Sequence, residues 1–272
     1  MNPKEIRVCI LRVGGTNCDA ETRRAFDDLG VRAEIVHLNE VVKKRHLMDY
    51  HALVFPGGFS YGDYVRAGAI LAKGVVAKLG KELERFVKEE RPILGICNGF
   101  QVLVEAGLLP GFDGFSELPQ ASLATNQPVG YRCMWVHLKH ENKGKCVFTR
   151  KVRDDTVLRI PISHAEGRFM FDKRKENEYL KKLYENDQLV FRYCTEEGEY
   201  AEGKFPMNPN GAFHDIAGIC DSTGTIFGVM PHPERAYYGW QLPDWTKRER
   251  VPKYGDGRLI FESITEHLAK KF

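Results

Sequence analysis

The sequence has no hydrophobic run long enough to cross a membrane, no surplus of charge of either sign and no close cysteine pair. Each absence removes a class of function. A membrane helix needs about 20 apolar residues, whereas the first apolar stretch, Val8 to Leu11, already ends at Arg12 and is too short for the core of a secretory leader. Across 272 residues, 40 Lys and Arg face 37 Asp and Glu, a net charge of +3. That balance favours neither a nucleic-acid groove nor an anionic membrane surface. The seven cysteines, at 9, 18, 97, 133, 146, 194 and 220, include no C-x-x-C pair, so neither a zinc ribbon nor a redox dithiol is expected, and no metal site. They read as reduced thiols in a cytoplasmic environment. A Walker A loop is also missing: five residues rather than four separate Gly74 from Gly80, and Glu82 follows Lys81 where Ser or Thr is needed. No G-x-G-x-x-G follows a strand, and no cofactor is expected on this chain.

What is present is ordinary globular composition, 43% hydrophobic and 11% aromatic, with strands and helices in alternation. Arg7 to Leu11 reads as a buried strand, Cys18 to Leu29 as a helix stopped by Gly30, Ala33 to Leu38 and Ala52 to Phe55 as further strands, Lys81 to Glu90 as a helix, and Pro92 to Cys97 as a fourth strand. This rhythm implies an α/β fold with a mostly parallel sheet flanked by helices, whose ligands sit beyond the carboxyl ends of the strands. After Ser116 the pattern becomes more antiparallel. Strands are expected at Tyr131 to Leu138, Thr156 to Ile160 and Leu189 to Tyr193, a helix at Glu178 to Tyr184, and a hairpin from Ile216 to Met230 turning at Asp221 to Gly224. A helix from Arg258 to Lys270 closes the chain. No linker or repeat divides it, so residues 1–272 are expected to form a single domain, with Tyr238 to Asp256 as a surface excursion.

Two stretches fit the Gly-x-nucleophile-x-Gly elbow: Gly58 to Gly62, centred on Ser60, and Gly95 to Gly99, centred on Cys97. Ser60 lies beyond the Pro56-Gly57-Gly58 turn and reads as a loop residue. Cys97 follows directly on an apolar strand and precedes a helical pattern from Phe100 to Ala106, so it is the sharper elbow. The other six cysteines read as small core hydrophobes. A thiolate needs a base, and His232 in Met230-Pro231-His232-Pro233-Glu234 follows the last apolar strand. With the backbone held extended ahead of Pro233, Glu234 lies on the face of His232 and can orient it. The Gly57-Gly58 turn offers Gly58 N–H as one oxyanion donor and Asn98 N–H as the second. Gln101, Arg66 and Gly57 are candidate substrate contacts; Gln101 on an exposed helix turn and Arg66 in a surface ion pair are the alternatives. His164 and Glu166 are candidates for the partner face or an ammonia exit, with a buried ion pair or a turn as the alternative.

The elbow Gly95 to Gln101 and the His232-Pro233-Glu234 motif together resemble the class I (triad) glutamine amidotransferases, which implies a flavodoxin-like fold with an added antiparallel portion. Pro56 to Ala69, Gly95 to Gln101 and Met230 to Arg235, joined by Arg12 to Asp19 and Pro161 to Arg168, are similar to the glutaminase subunits of phosphoribosylformylglycinamidine synthases; the family more often has Gly where Ala165 stands. The resemblance implies hydrolysis of L-glutamine by Cys97, His232 and Glu234. It further implies delivery of ammonia to a synthetase subunit that carries ATP and Mg²⁺ in purine biosynthesis, and a small adaptor subunit as second partner. Two rival readings are a stand-alone cysteine hydrolase or chaperone-like protein of the PfpI and DJ-1 type, against which the late His-Pro-Glu speaks, and a binding module with a relic triad.

Overall fold

The computed structural model describes residues 1–154 and 156–272. The unbroken apolar runs β3 (Ala52–Phe55) and β4 (Ile93–Ile96) are buried on both faces, as expected of strands covered by helices on either side. They are central strands of one nine-stranded sheet with β1 (Arg7–Arg12), β2 (Arg32–His37), β6 (Arg132–His140), β7 (Val157–His164), β9 (Leu189–Cys194), β10 (Ile216–Cys220) and β11 (Ile226–Val229), in the order β2-β1-β3-β4-β11-β10-β9-β6-β7. The first five strands of that order pair in parallel. From β11 outward every pairing is antiparallel. The parallel half has the flavodoxin-like order, and the antiparallel half continues the same sheet. A short ribbon of β5 (Ser122–Ala124) and β8 (Arg168–Met170), for which the sequence gives no clear signal, lies apart.

Helices α1 (Asp19–Asp28), α2 (Leu38–Lys43), α3 (Ala69–Lys88), α4 (Asn98–Glu105), α5 (Glu176–Glu185) and α6 (Arg258–Lys271) complete the fold. Three boundaries differ from the sequence expectation. α3 begins at Ala69 rather than Lys81, because Leu71, Val75, Leu79, Leu83 and Phe86 bury one continuous face, which outweighs the cost of about 1 kcal/mol for each internal glycine. β7 runs through Pro161 to His164; it is the last strand of the sheet, where a missing N–H is tolerated. The chain after Pro233 is not extended but winds into a 3₁₀ turn, Pro233–Ala236, for which proline at the first position is preorganised. The excursion Tyr238 to Asp256 carries exposed charges around 247–253 and is tied at its ends by a bridge between Tyr238 and Tyr254.

The carboxyl ends of β1, β3, β4 and β11 converge. They are followed by Gly14 to Cys18, Pro56 to Ser60, Cys97 and Met230 to His232 respectively. All seven cysteines are free thiols, and no described helix is long and apolar enough to cross a membrane.

Candidate active site

Cys97 sits between β4 and α4 with φ 51° and ψ −104°. That conformation is strained for any residue with a Cβ and is the mark of a nucleophile elbow. The flanking glycines make it possible. A Cβ on Gly95 would lie 2.6 Å from the Gly99 carbonyl, and one on Gly99 would overlap the Phe55 carbonyl. The first turn of α4 thus presses on β3 and directs its free N–H groups at the thiol's surroundings. Cys97 N–H donates to Val229 O at 2.8 Å, which locks the elbow to β11. The thiol itself donates to Ser163 O at 3.6 Å.

His232 is buried, and its main-chain N–H donates to Pro161 O at 2.8 Å. Its Nδ1 is 2.6 Å from Glu234 Oε1, and its Nε2 is buried without a partner. The 3₁₀ turn, rather than strand alternation, brings Glu234 round to the ring. Burial by itself would lower the imidazole pKa, but the charges of Glu234 and Cys97 raise it well above its ordinary value. Nδ1 therefore donates to the carboxylate, and Nε2 is left without a protein partner.

Gly58 takes φ 145°, and a Cβ there would lie 2.6 Å from Gly15 O. Its bridge with Thr16 is closed by Phe59 N–H to Gly15 O and Asn17 N–H to Gly57 O, so Gly58 N–H is not consumed by the bridge. Asn98 N–H, at the start of α4, likewise has no intrahelical acceptor. Both candidate oxyanion donors are therefore available. The Asn98 side chain is a brace: Oδ1 accepts from Ser60 N–H at 3.2 Å, and Nδ2 donates to Asp63 Oδ1 and to Gln101 Oε1. Ser60, centre of the other elbow pattern, has a buried hydroxyl with no partner and hence no base.

The remaining candidates divide. Gln101 is buried rather than on an exposed turn, and its Nε2 donates to Glu166 O at 2.5 Å, stitching α4 to the loop after β7. Gly57 faces the base rather than a substrate: a Cβ there would lie 2.7 Å from His232 Cε1. Arg66 is turned away, with one guanidinium nitrogen 2.6 Å from Glu105 Oε2 and more than half of its side chain in solvent, as the surface ion-pair alternative has it. His164 and Glu166 line the cavity onto which Cys97 opens. His164 makes no ion pair there: burial pushes its pKa down to about 3, helped by the nearby charge of His232.

Sequence reasoning missed Cys18. Its Sγ is 3.9 Å from His232 Nδ1 and accepts a hydrogen bond from Arg235 at 3.2 Å, and burial raises its pKa. Its place just beyond β1, on the same sheet edge as Cys97, was the available signal. Cys18, His232 and Glu234 are the one grouping of metal-ligand type among the described residues. Two ligands of one tetrahedral zinc would be about 3.3 Å apart, so the 2.6 Å contact between His232 and Glu234 is a hydrogen bond and not a shared ion.

Two cavities adjoin here. One of about 300 Å³ is bounded by Cys18, Tyr131, His232 and Arg235. The other, about 40 Å³, is bounded by Cys97, Gln101, His164 and Glu166. They share Gly58, Phe59 and Ser163 and are lobes of one cleft.

The family model that matches the chain, over residues 5–268, describes a CobB/CobQ-like glutamine amidotransferase domain. The chain is 49% identical to the phosphoribosylformylglycinamidine synthase subunit PurQ of Archaeoglobus fulgidus, across 99% of this chain and 100% of that one. With the subunit of the same name from Methanococcus maripaludis it shares 43% identity, covering 96% and 93%. Among solved structures, a chain of PurLQS from Thermotoga maritima superposes with a TM-score of 0.72 at 31% identity, covering 97% of this chain and 99% of that one.

Proposed function

Since the chain belongs to the CobB/CobQ-like glutamine amidotransferase family, we propose that it is the glutaminase subunit of a phosphoribosylformylglycinamidine synthase, releasing ammonia from L-glutamine for a synthetase subunit. The observation that carries this reading is the strained Cys97 elbow together with a buried His232–Glu234 pair whose imidazole feels the charge of Cys97, in a chain with close to half its residues identical to a PurQ subunit over nearly its whole length.

In this mechanism Cys97, its proton already held on His232 Nε2, attacks the side-chain amide carbon as the thiolate. The charge on the amide oxygen is held by the N–H groups of Gly58 and Asn98. His232 then gives its proton to the departing nitrogen. Ammonia leaves, and a glutamyl thioester remains on Cys97. A water molecule, deprotonated by Nε2, attacks that thioester, and glutamate departs as the thiol is restored. Glu234 holds the ring in the required tautomer and stabilises its cation. Residues 1–272 act as one catalytic domain in this reading, because a single sheet joins both halves.

The partners are a PurL-type synthetase, on which ATP and Mg²⁺ act, and a PurS-type adaptor, by likeness to PurLQS. The mouth of the cleft suits docking: Phe59 stacks on Tyr131 with ring centroids 6.5 Å apart, and both, with Tyr64 and Val65 of the same loop as Phe59, are exposed. Seven free cysteines fit a reducing, cytoplasmic setting.

Cys97→Ala in the assembled complex is expected to abolish glutamine-dependent synthesis while leaving synthesis from added ammonium salt intact. Retained glutaminase activity in that variant refutes the assignment. A glutamine-analogue electrophile is expected to label Cys97 far faster than the other six thiols, Cys18 included; equal labelling would favour a module with a relic triad.

A further inference from the structure

The lobe onto which Cys97 opens offers hydrogen-bond acceptors and no cation. Asp63 and Glu166 both line it, and no lysine or arginine does so among the described residues. Arg66, close by in sequence, is spent on Glu105. Each carboxylate is anchored by one oxygen. Asp63 Oδ1 accepts from Asn98 Nδ2 at 3.2 Å and from Gly68 N–H at 3.4 Å. Glu166 Oε2 accepts from Ala67 N–H at 3.0 Å. The second oxygen of each has no protein donor among the described residues. Burial raises the Asp63 pKa, the Gly68 N–H opposes that rise, and the charge of Glu166 adds to it. Two carboxylates facing one small cavity without a counterion are repelled until a cation arrives.

A third group gives the same chemistry independently. Asn126 Nδ2 donates to two carbonyls, Gly130 O and His164 O, both at 2.9 Å. Its Oδ1 must then face Gly167 N–H, at 2.9 Å, and His164 Nδ1, at 3.2 Å. So Nδ1 carries the hydrogen, and His164 Nε2 is a bare lone pair, fully buried and without a partner. An imidazole in this state accepts hydrogen bonds and offers none at Nε2.

We propose that Asp63 and Glu166 hold the α-ammonium group of the glutamine substrate, next to a His164 ring that admits only donors. This rests on the glutaminase reading. In an extended glutamine the α-nitrogen lies roughly 5 Å from the side-chain amide carbon, by bond lengths alone, a reach that lets an amide at Cys97 set its ammonium in the lobe that Cys97 lines with Asp63 and Glu166. The role differs from the partner-face and ammonia-exit roles that the sequence suggests for Glu166.

The test compares glutamine with glutaramate, the same amide without the α-amino group, in the assembled complex. Wild type is expected to prefer glutamine in kcat/KM. Asp63→Asn and Glu166→Gln should each raise KM for glutamine by about tenfold or more, the loss of a charge-assisted hydrogen bond. Neither should alter kcat/KM for glutaramate, so the preference falls by the same factor. A merely structural role would depress both substrates together. The proposal is overturned if both variants keep the wild-type preference, or if wild type itself uses the two amides equally well, a result that needs no variant to fold. In either case turnover of glutamine leaves the glutaminase reading standing, whereas a wild-type complex that turns over neither amide overturns both.

Discussion

Glu234 is the residue whose removal separates positioning from chemistry. His232 is held protonated to higher pH than an ordinary imidazole by Glu234 and Cys97, against the effect of burial. Glu234→Gln keeps the shape and removes the charge, so the imidazole pKa falls. The form able to protonate departing ammonia then disappears at lower pH. The alkaline limb of the kcat/KM profile should move down by about one pH unit or more, and kcat should fall by about 10²-fold or more. A profile that keeps its alkaline limb in place would remove Glu234 from the mechanism. At this scale the motif residues Cys97, His232 and Glu234 were legible because motif spacing reports on local backbone. Cys18 was not, since its contact with His232 spans 214 residues. Arg66 follows its surface ion-pair alternative: its side chain is long enough to leave the loop that carries it and pair with Glu105.

Elements are placed here by where a Cβ fits. Gly99→Ala should drive α4 off β3, because the new methyl overlaps the Phe55 carbonyl. The expected cost is about 1–3 kcal/mol, together with loss of glutaminase activity as the elbow opens. Gly74→Ala in α3 is the control: nothing lies within 4 Å of its Cβ position, and helix propensity favours alanine by about 0.8–1 kcal/mol. Thermal melts of the two variants should therefore shift in opposite directions. The element pattern of the parallel half was readable because each buried strand is a short apolar run bounded by turns. The start of α3 and the passage of β7 through Pro161 were not, since burial of one helix face and position at a sheet edge are properties of the assembled fold.

For the whole molecule, the buried His164 and the half-buried His267 are held neutral by the fold and contribute to the response to acid. Burial depresses His164 to about 3 and His267 to about 4, the latter with the help of Arg150. A histidine whose folded pKa lies below its unfolded value contributes stability that is fully present above about 6.5 and is lost as pH falls toward the folded value. His232 has the opposite sign; its contribution is full below about 6.5 and lost as pH rises through its raised value. His267 lies outside the site, so His267→Gln should leave glutaminase activity unchanged and reduce the drop in Tm between pH 7.5 and 5.5. An unchanged drop would show that His267 is not held neutral by the fold.

The amino-acid sequence by itself determined the candidate nucleophile, its candidate base and the class of sheet, because an elbow, a His-Pro-Glu and short apolar runs are each written within a few neighbouring residues. Only the tertiary structure decided what surrounds them. Cys18 beside the base, Gln101 as a stitch, Gly57 as room for a ring and the acceptor-lined lobe of Asp63, His164 and Glu166 all come from strands whose carboxyl ends meet in space. Which side chains share a cavity depends on strand order and crossover, and these are fixed by burial over the entire sheet rather than by any local stretch of chain.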